Sequence, residues 1–201
     1  MFDAKLRPLI DPPLNAVGRA IARLGVTADA LTIAGAAFGA AAGIAIADRH
    51  FGLALGLIAL SRLLDGLDGA VARATRMTDF GGYLDIVADF VFYCAVPLGF
   101  AFAAPENARP AAALLAAFAL TGVSFLSFAA IAAKRGETTV AHGAKSFFYS
   151  TGLAEGAETI AVFVAMCLFP AAFVSLAWLF AALCLVTVIQ RSLLARGEFG
   201  K

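Results

Sequence analysis

The chain is built from long apolar runs separated by short polar connections. Six runs can be drawn, at residues 29–48, 52–75, 81–104, 110–134, 145–168 and 171–192. Most reach the ~20 residues that cross a hydrocarbon core of about 30 Å. The runs are continuous rather than alternating, which argues against a β-barrel. Residues 1–28 read differently. After Pro13, the residues Leu14, Val17, Ile21 and Leu24 recur at helical spacing, with Asn15, Arg19 and Arg23 elsewhere. This pattern predicts a short amphipathic helix. It either lies in the membrane interface, arginines toward anionic headgroups, or packs on the protein itself. The stretch mixes both charge signs with prolines and lacks the apolar core of a signal peptide. The expected fold is an all-α integral membrane protein with six transmembrane helices and an N-terminal amphipathic interfacial helix. Residues 1–28 form the juxtamembrane segment and residues 29–201 the transmembrane domain.

Composition agrees with this reading. The 201 residues are 62% hydrophobic and 14% charged, against about 25% charged in a soluble domain. The 18 Phe residues suit buried or lipid-facing positions. Cys94, Cys167 and Cys184 lie in apolar runs, and their spacing suggests neither a zinc site nor a disulfide framework. A net charge of +1 says little about partners, since the placement of the charges matters more; membrane lipid and no nucleic acid is the expectation. With the N-terminus inside, Lys5, Arg7, Arg19, Arg23, Arg73, Arg76, Lys134, Arg135, Lys145, Arg191, Arg196 and Lys201 collect at one side of the membrane. Only Arg49 and Arg109 fall on the other. The positive-inside rule therefore puts both termini in the cytoplasm. Gly35, Gly39 and Gly43 give the first run a small-residue face for close helix packing.

The charges cluster in one place. Residues 65–89, DGLDGAVARATRMTDFGGYLDIVAD, hold five aspartates across the end of the second run and the start of the third. Asp65 and Asp68 lie roughly 12 and 8 Å in from Arg73, and Asp85 and Asp89 roughly 6 and 12 Å in from Gly81. Spacings of three and four put each pair on one helix face, so four carboxylates share a depth on adjacent antiparallel helices. Four bare carboxylates cannot comfortably stay ionised there. A divalent cation resolves the conflict, and an all-oxygen donor set favours Mg²⁺, Mn²⁺ or Ca²⁺ over zinc. Ion pairing with Arg62, Arg73 and Arg76 is the structural alternative. Gly66, Gly69 and Ala72 leave the helix face around Asp68 nearly bare. Arg73 is placed for phosphate oxygens, and Gly81 and Gly82 leave the first N–H groups of the facing helix open to an anion. Together these features suggest a metal-bound diphosphate. Asp79, in the intervening turn, reads as solvated.

Asp65-x2-Asp68-Gly69-x2-Ala72-Arg73, then Gly81-x3-Asp85-x3-Asp89, resembles the signature of the CDP-alcohol phosphotransferases. The layout of spans extends the resemblance over most of the chain, nearest to short bacterial inner-membrane members. The resemblance implies that an alcohol hydroxyl attacks the lipid-linked phosphorus of CDP-diacylglycerol, giving a phospholipid and CMP on the cytoplasmic side. It implies two divalent metals, Mg²⁺ or Mn²⁺ with Ca²⁺ usable in vitro, on Asp65, Asp68, Asp85 and Asp89. Asp89 would double as general base. Asp68, Gly69, Ala72, Arg73 and Gly81 would hold the CDP moiety, in a homodimeric protein. Physical chemistry fits, since positioning and electrostatics dominate phosphoryl transfer.

The acceptor alcohol is less legible. Lys134, Arg135 and Lys145 suit a phosphorylated acceptor, or simply anchor the cytoplasmic edge, and Arg191 has the same two readings. Glu155 and Glu158 lie roughly 15 and 20 Å in from Lys145, at a depth comparable to Arg62. Arg62 is therefore expected to pair with one or both, beside an acceptor cavity that also includes Tyr149. Two other functions compete. One moves CDP-linked headgroups onto diacylglycerol; the other is divalent-cation transport, against which the bare helix face and the lack of repeat halves both argue.

Overall fold

The computed structural model describes residues 3–136 and 155–200. Among them every regular element is helical. Seven α-helices follow in order: α1 (Asp3–Arg23), α2 (Ala28–Ala47), α3 (Phe51–Ala74), α4 (Asp79–Ala103), α5 (Ala108–Lys134), α6 (Gly156–Leu168) and α7 (Phe173–Phe199). Short 3₁₀ turns at Pro105–Asn107 and Pro170–Ala172 lead into α5 and α7. Four stretches are long and apolar enough to cross a membrane: Ala28–Ala47, Asp79–Ala103, Pro105–Lys134 and Pro170–Phe199. α3 has the length of a span, at 24 residues, but carries Arg62, Asp65, Asp68 and Arg73. α6 is a shorter apolar helix of 13 residues. The last helix runs past the expected end at residue 192, through Arg196.

Packing begins with α2, which lies against both α3 and α4. Gly35 meets the Ser61 carbonyl of α3, Gly39 meets Phe92 of α4, and Gly43 faces the Ala95 backbone. Gly99 completes the seam from α4, so close that an added Cβ would collide with the Gly43 carbonyl oxygen. The small-residue face of the first span is thus a packing face, as its spacing predicts. At the far end of this seam Arg49 adopts a left-handed φ of 61°. There its Nε and Nη2 donate to the Ala103 carbonyl at 3.0 and 2.6 Å, tying the α2–α3 turn to the end of α4.

Phenylalanines knit the remaining helices to this trio. Phe92 of α4 contacts Phe163 of α6, and Phe163 contacts Phe118 of α5, with ring centroids 5.5 and 5.9 Å apart. Phe118 in turn meets Phe180 of α7 at 6.0 Å. These offset and edge-on contacts add specificity to a large apolar burial. α5 and α7 are clipped by Arg191, whose Nη1 donates to the Thr121 carbonyl at 2.9 Å and to Ser124 Oγ at 2.8 Å. Arg135 binds the Glu198 carbonyl at 3.0 Å at the C-terminal ends of that pair.

α1 packs on α3. Leu14 covers Gly66 and Gly18 lies against Ala70, while Val17 and Leu24 stay exposed. The helix begins at Asp3, well before the expected start after Pro13.

The α2–α4 seam sets a stability prediction. Gly99→Ala is expected to lower the stability of the detergent-solubilised protein by about 1–3 kcal/mol through overpacking. Gly197→Ala, whose added Cβ meets nothing within 4 Å, is expected to be neutral or slightly stabilising. Thermal unfolding of the two variants checks both.

Candidate active site

α3 and α4 carry the signature acids, and their shared packing against α2 brings the two acidic faces together. Asp65, Asp68 and Asp85 each offer a carboxylate oxygen, and the three oxygens all lie within 4.8 Å of one another. Asp68 is the most enclosed, only 5% exposed. The Thr32 hydroxyl of α2 donates to its Oδ2 at 2.6 Å, a charge-assisted bond that fixes this carboxylate's orientation. These three acids carry no competing nitrogen or sulfur donor. The set fits a hard divalent cation such as Mg²⁺ or Mn²⁺, which takes oxygen ligands.

Asp89 behaves differently from its three neighbours. Arg62 Nη1 donates to Asp89 Oδ1 at 2.7 Å and lies 3.4 Å from Asp65 Oδ1. The same guanidinium sits over the Phe92 ring, 4.0 Å from its centroid, and Nη2 reaches Ser61 Oγ at 3.1 Å. The depth argument pairs Arg62 with Glu155 or Glu158; the structure pairs it with the aspartates instead. Asp65 is one helical turn from Arg62 on the same face, and Asp89 reaches the guanidinium from α4, although α3 packs more closely on α6 than on α4. Glu155 lies within electrostatic reach of Arg191, and Glu158 turns an oxygen into the interior.

Toward the cytoplasmic end expected from the charge pattern, the helix face around Asp68 is less bare than the glycines alone suggest. Leu14 fills the space beside Gly66, leaving Gly69 as the open position next to Arg73. Arg73 is exposed, and its Nε and Nη2 both donate to Asn15 Oδ1, at 3.1 and 2.9 Å. The amide of Gly81 is not open to an anion: Thr78, the N-cap of α4, accepts from it at 2.9 Å. The Asp29 carboxylate lies beside Gly81. Asp79 is the exposed first residue of α4.

Of the acceptor candidates, Arg62 is drawn into this cluster. Lys134 ends α5, and Arg135 lies over Phe199 as well as on the Glu198 carbonyl. Lys145 and Tyr149 lie outside the described residues. Three residues near the acids escape a reading based on charge alone: Asn15, Asp29 and Thr32. For the last two a signal exists in TADALT, where a polar pair spaced by three opens an otherwise apolar run.

Comparison with known proteins places this geometry in a family. A family model for CDP-alcohol phosphatidyltransferase matches residues 25–190. The chain belongs to that family. It is 50% identical over 192 residues to the inner membrane protein YnjF of Escherichia coli, covering 95% of this chain and 93% of the relative. It is 36% identical over 99 residues to the archaetidylinositol phosphate synthase of Pyrococcus horikoshii, covering 49% and 53%. Structures of Mycobacterium tuberculosis phosphatidylinositol phosphate synthase (PgsA1) share the fold. With CDP-DAG bound, the TM-score is 0.62 at 25% identity, over 89% of this chain and 90% of that one. With manganese and citrate, the TM-score is 0.64 at 26% identity, over 89% and 86%.

The Thr32 bond generates a prediction. A hydrogen bond to a charged group is worth about 1.5–3 kcal/mol, so Thr32→Val is expected to weaken Mn²⁺ binding by about tenfold. Thr32→Ser keeps the donor and is expected to bind as the wild type does. Electron paramagnetic resonance titration of Mn²⁺ measures both.

Proposed function

We propose that the protein makes a membrane phospholipid by transferring the phosphatidyl group of CDP-diacylglycerol to the hydroxyl of a small polar alcohol, releasing CMP. One observation carries this reading: carboxylates from α3 and α4, Asp65, Asp68 and Asp85, converge within 4.8 Å in a chain of this family. Relatives solved with CDP-DAG and with manganese support the choice of donor and of a divalent cation.

Asp65, Asp68, Asp85 and Asp89 would hold two divalent cations, Mg²⁺ or Mn²⁺. Bound there, such ions supply charge neutralisation for the diphosphate and for the departing CMP. The chain's own groups do the rest. Arg73, held on Asn15 beside Gly69 and Ala72, meets phosphate oxygens of the nucleotide. Gly81, at the start of α4, leaves room for the CDP moiety near Asp68. Asp89 takes the proton of the acceptor hydroxyl as its oxygen bonds to the phosphatidyl phosphorus. The phosphorus–oxygen bond to CMP breaks, and CMP leaves with the bonding electrons. Arg62, Lys134, Arg135, Lys145, Tyr149, Glu155 and Glu158 remain the candidates for the acceptor side. Among the described ones, Arg62 touches the acids.

The same reading places the protein in a bacterial inner membrane, as the relationship to an inner membrane protein supports. It has six spans in the domain 29–201, with α1 of segment 1–28 at the interface. Both termini and the acids face the cytoplasm, and two copies form a homodimer.

Protein reconstituted in liposomes with CDP-diacylglycerol is expected to release CMP only when Mg²⁺ or Mn²⁺ and an alcohol are both present. Asp68→Asn and Asp85→Asn are expected to fall to background. Asp89→Asn is expected to lose about 10²–10⁴-fold in kcat, the scale of a lost general base. CMP release without metal, or full turnover by Asp89→Asn, contradicts the proposal. Cation flux without CMP release indicates a transporter.

A further inference from the structure

The signature treats its four aspartates alike, but the structure does not. Three of them share a volume in which their oxygens approach within 4.8 Å. The fourth, Asp89, has a cation already, because the Arg62 guanidinium lies 2.7 Å from its Oδ1. That guanidinium is no loose surface group. Its side chain is 12% exposed, it stacks on the fully buried Phe92 ring at 4.0 Å, and its Nη2 rests on Ser61 Oγ. Ser61 is itself fixed, donating to the Gly35 carbonyl at 2.7 Å. The chain from Gly35 through Ser61 to Arg62 thus runs back to the α2–α3 seam that builds the site. Arg62 Nε is buried without a hydrogen bond. Two features therefore hold this side chain, its aromatic stack and the contacts of its two terminal nitrogens.

We propose that Arg62 is a resident cation that occupies Asp89 and makes the two divalent ions bind in unequal steps. This rests on the reading of the four acids as a metal site. The first ion binds Asp65, Asp68 and Asp85, which are already gathered and lack a hydrogen-bonded arginine at their centre. The second needs Asp89, and a metal ion and a guanidinium cannot both hold the same carboxylate oxygen without like-charge repulsion in a poorly screened site. The second ion must therefore displace Arg62 Nη1 from Asp89, and its affinity is lowered by the strength of that ion pair. The displaced guanidinium keeps its stack on Phe92 and its Nη2 bond to Ser61 Oγ. The step is an exchange of cations at Asp89.

The test counts Mn²⁺ ions bound to the full chain in detergent, by electron paramagnetic resonance titration. The wild type is expected to take one ion at least tenfold more tightly than the second. Arg62→Gln is expected to narrow that ratio at least fivefold, with the signal of neighbouring, spin-coupled Mn²⁺ appearing at lower total manganese. An unchanged ratio in Arg62→Gln, or two equal sites in the wild type, overturns the proposal. The double variant Arg62→Gln, Asp89→Asn replaces a neutral pair by a neutral pair and guards against misfolding of the single variant. It is expected to keep first-ion affinity within threefold of wild type and to lose the second ion. A tenfold loss of the first ion would make Asp89 a ligand of it and overturn the order of binding. Failure of the underlying site looks different: wild type that binds no Mn²⁺, or tight binding that survives Asp68→Asn, removes the metal site and this inference together. Tight, Asp68-dependent binding with an unaltered ratio removes only the role of Arg62.

Discussion

The structure depends on holding like charges together inside an apolar bundle. Carboxylates at this depth repel one another and have lost much of their water, so the fold must force them into one place. It does so by close packing. Glycines on α2 and Gly99 on α4 let backbones approach nearly to contact, and α2, packed on both α3 and α4, holds their acidic faces toward one another. In the absence of hydrophobic drive between lipid-facing surfaces, such small-residue contacts are what hold transmembrane helices in register. Thr32 and Ser61 lie on the same seam and spend their hydroxyls on it, one bonding Asp68 and the other the Gly35 carbonyl.

Arginines supply the second layer of organisation. Arg49 closes one end of the α2–α4 seam on the Ala103 carbonyl, and Arg191 clips α7 to α5 through Thr121 and Ser124. Arg62 answers Asp89, and Arg73 reaches out to Asn15. Each guanidinium joins two helices, which suits a side chain with a planar fork of donors. They differ in what they bind. Arg49 binds a backbone carbonyl and Arg191 a carbonyl and the Ser124 hydroxyl. Arg62 and Arg73 bind the Asp89 and Asn15 side chains, where the proposed ion and diphosphate would compete.

Much of this was legible in the sequence. Apolar runs located the helices to within a few residues at most ends, because hydrophobic length is a strong constraint in a membrane. The spacing of Asp65, Asp68, Asp85 and Asp89 placed their faces together, because helical periodicity and a short connection leave few other arrangements. The partner of Arg62 was legible only as an alternative: pairing with the aspartates stood beside the metal reading, while the depth argument chose the glutamates. Depth alone cannot tell which neighbouring helix a long side chain will face, and Glu158 and Asp89 are equivalent by that measure. The Thr78 cap on Gly81 was missed because the two glycines invited an open N-terminus, while the capping residue just ahead of them takes the amide. Leu14 over Gly66 needed knowledge of how α1 crosses α3, which no local pattern encodes. Lys145 and Tyr149 lie outside the described residues, so their part in the acceptor side rests on the sequence alone.

The central claim is that the acids of α3 and α4 form a divalent-cation site. Anomalous scattering from manganese-soaked crystals tests it most directly. The account predicts an anomalous peak among Asp65, Asp68 and Asp85 that disappears in the Asp68→Asn protein. Manganese bound elsewhere, with no peak between these three carboxylates, would contradict it.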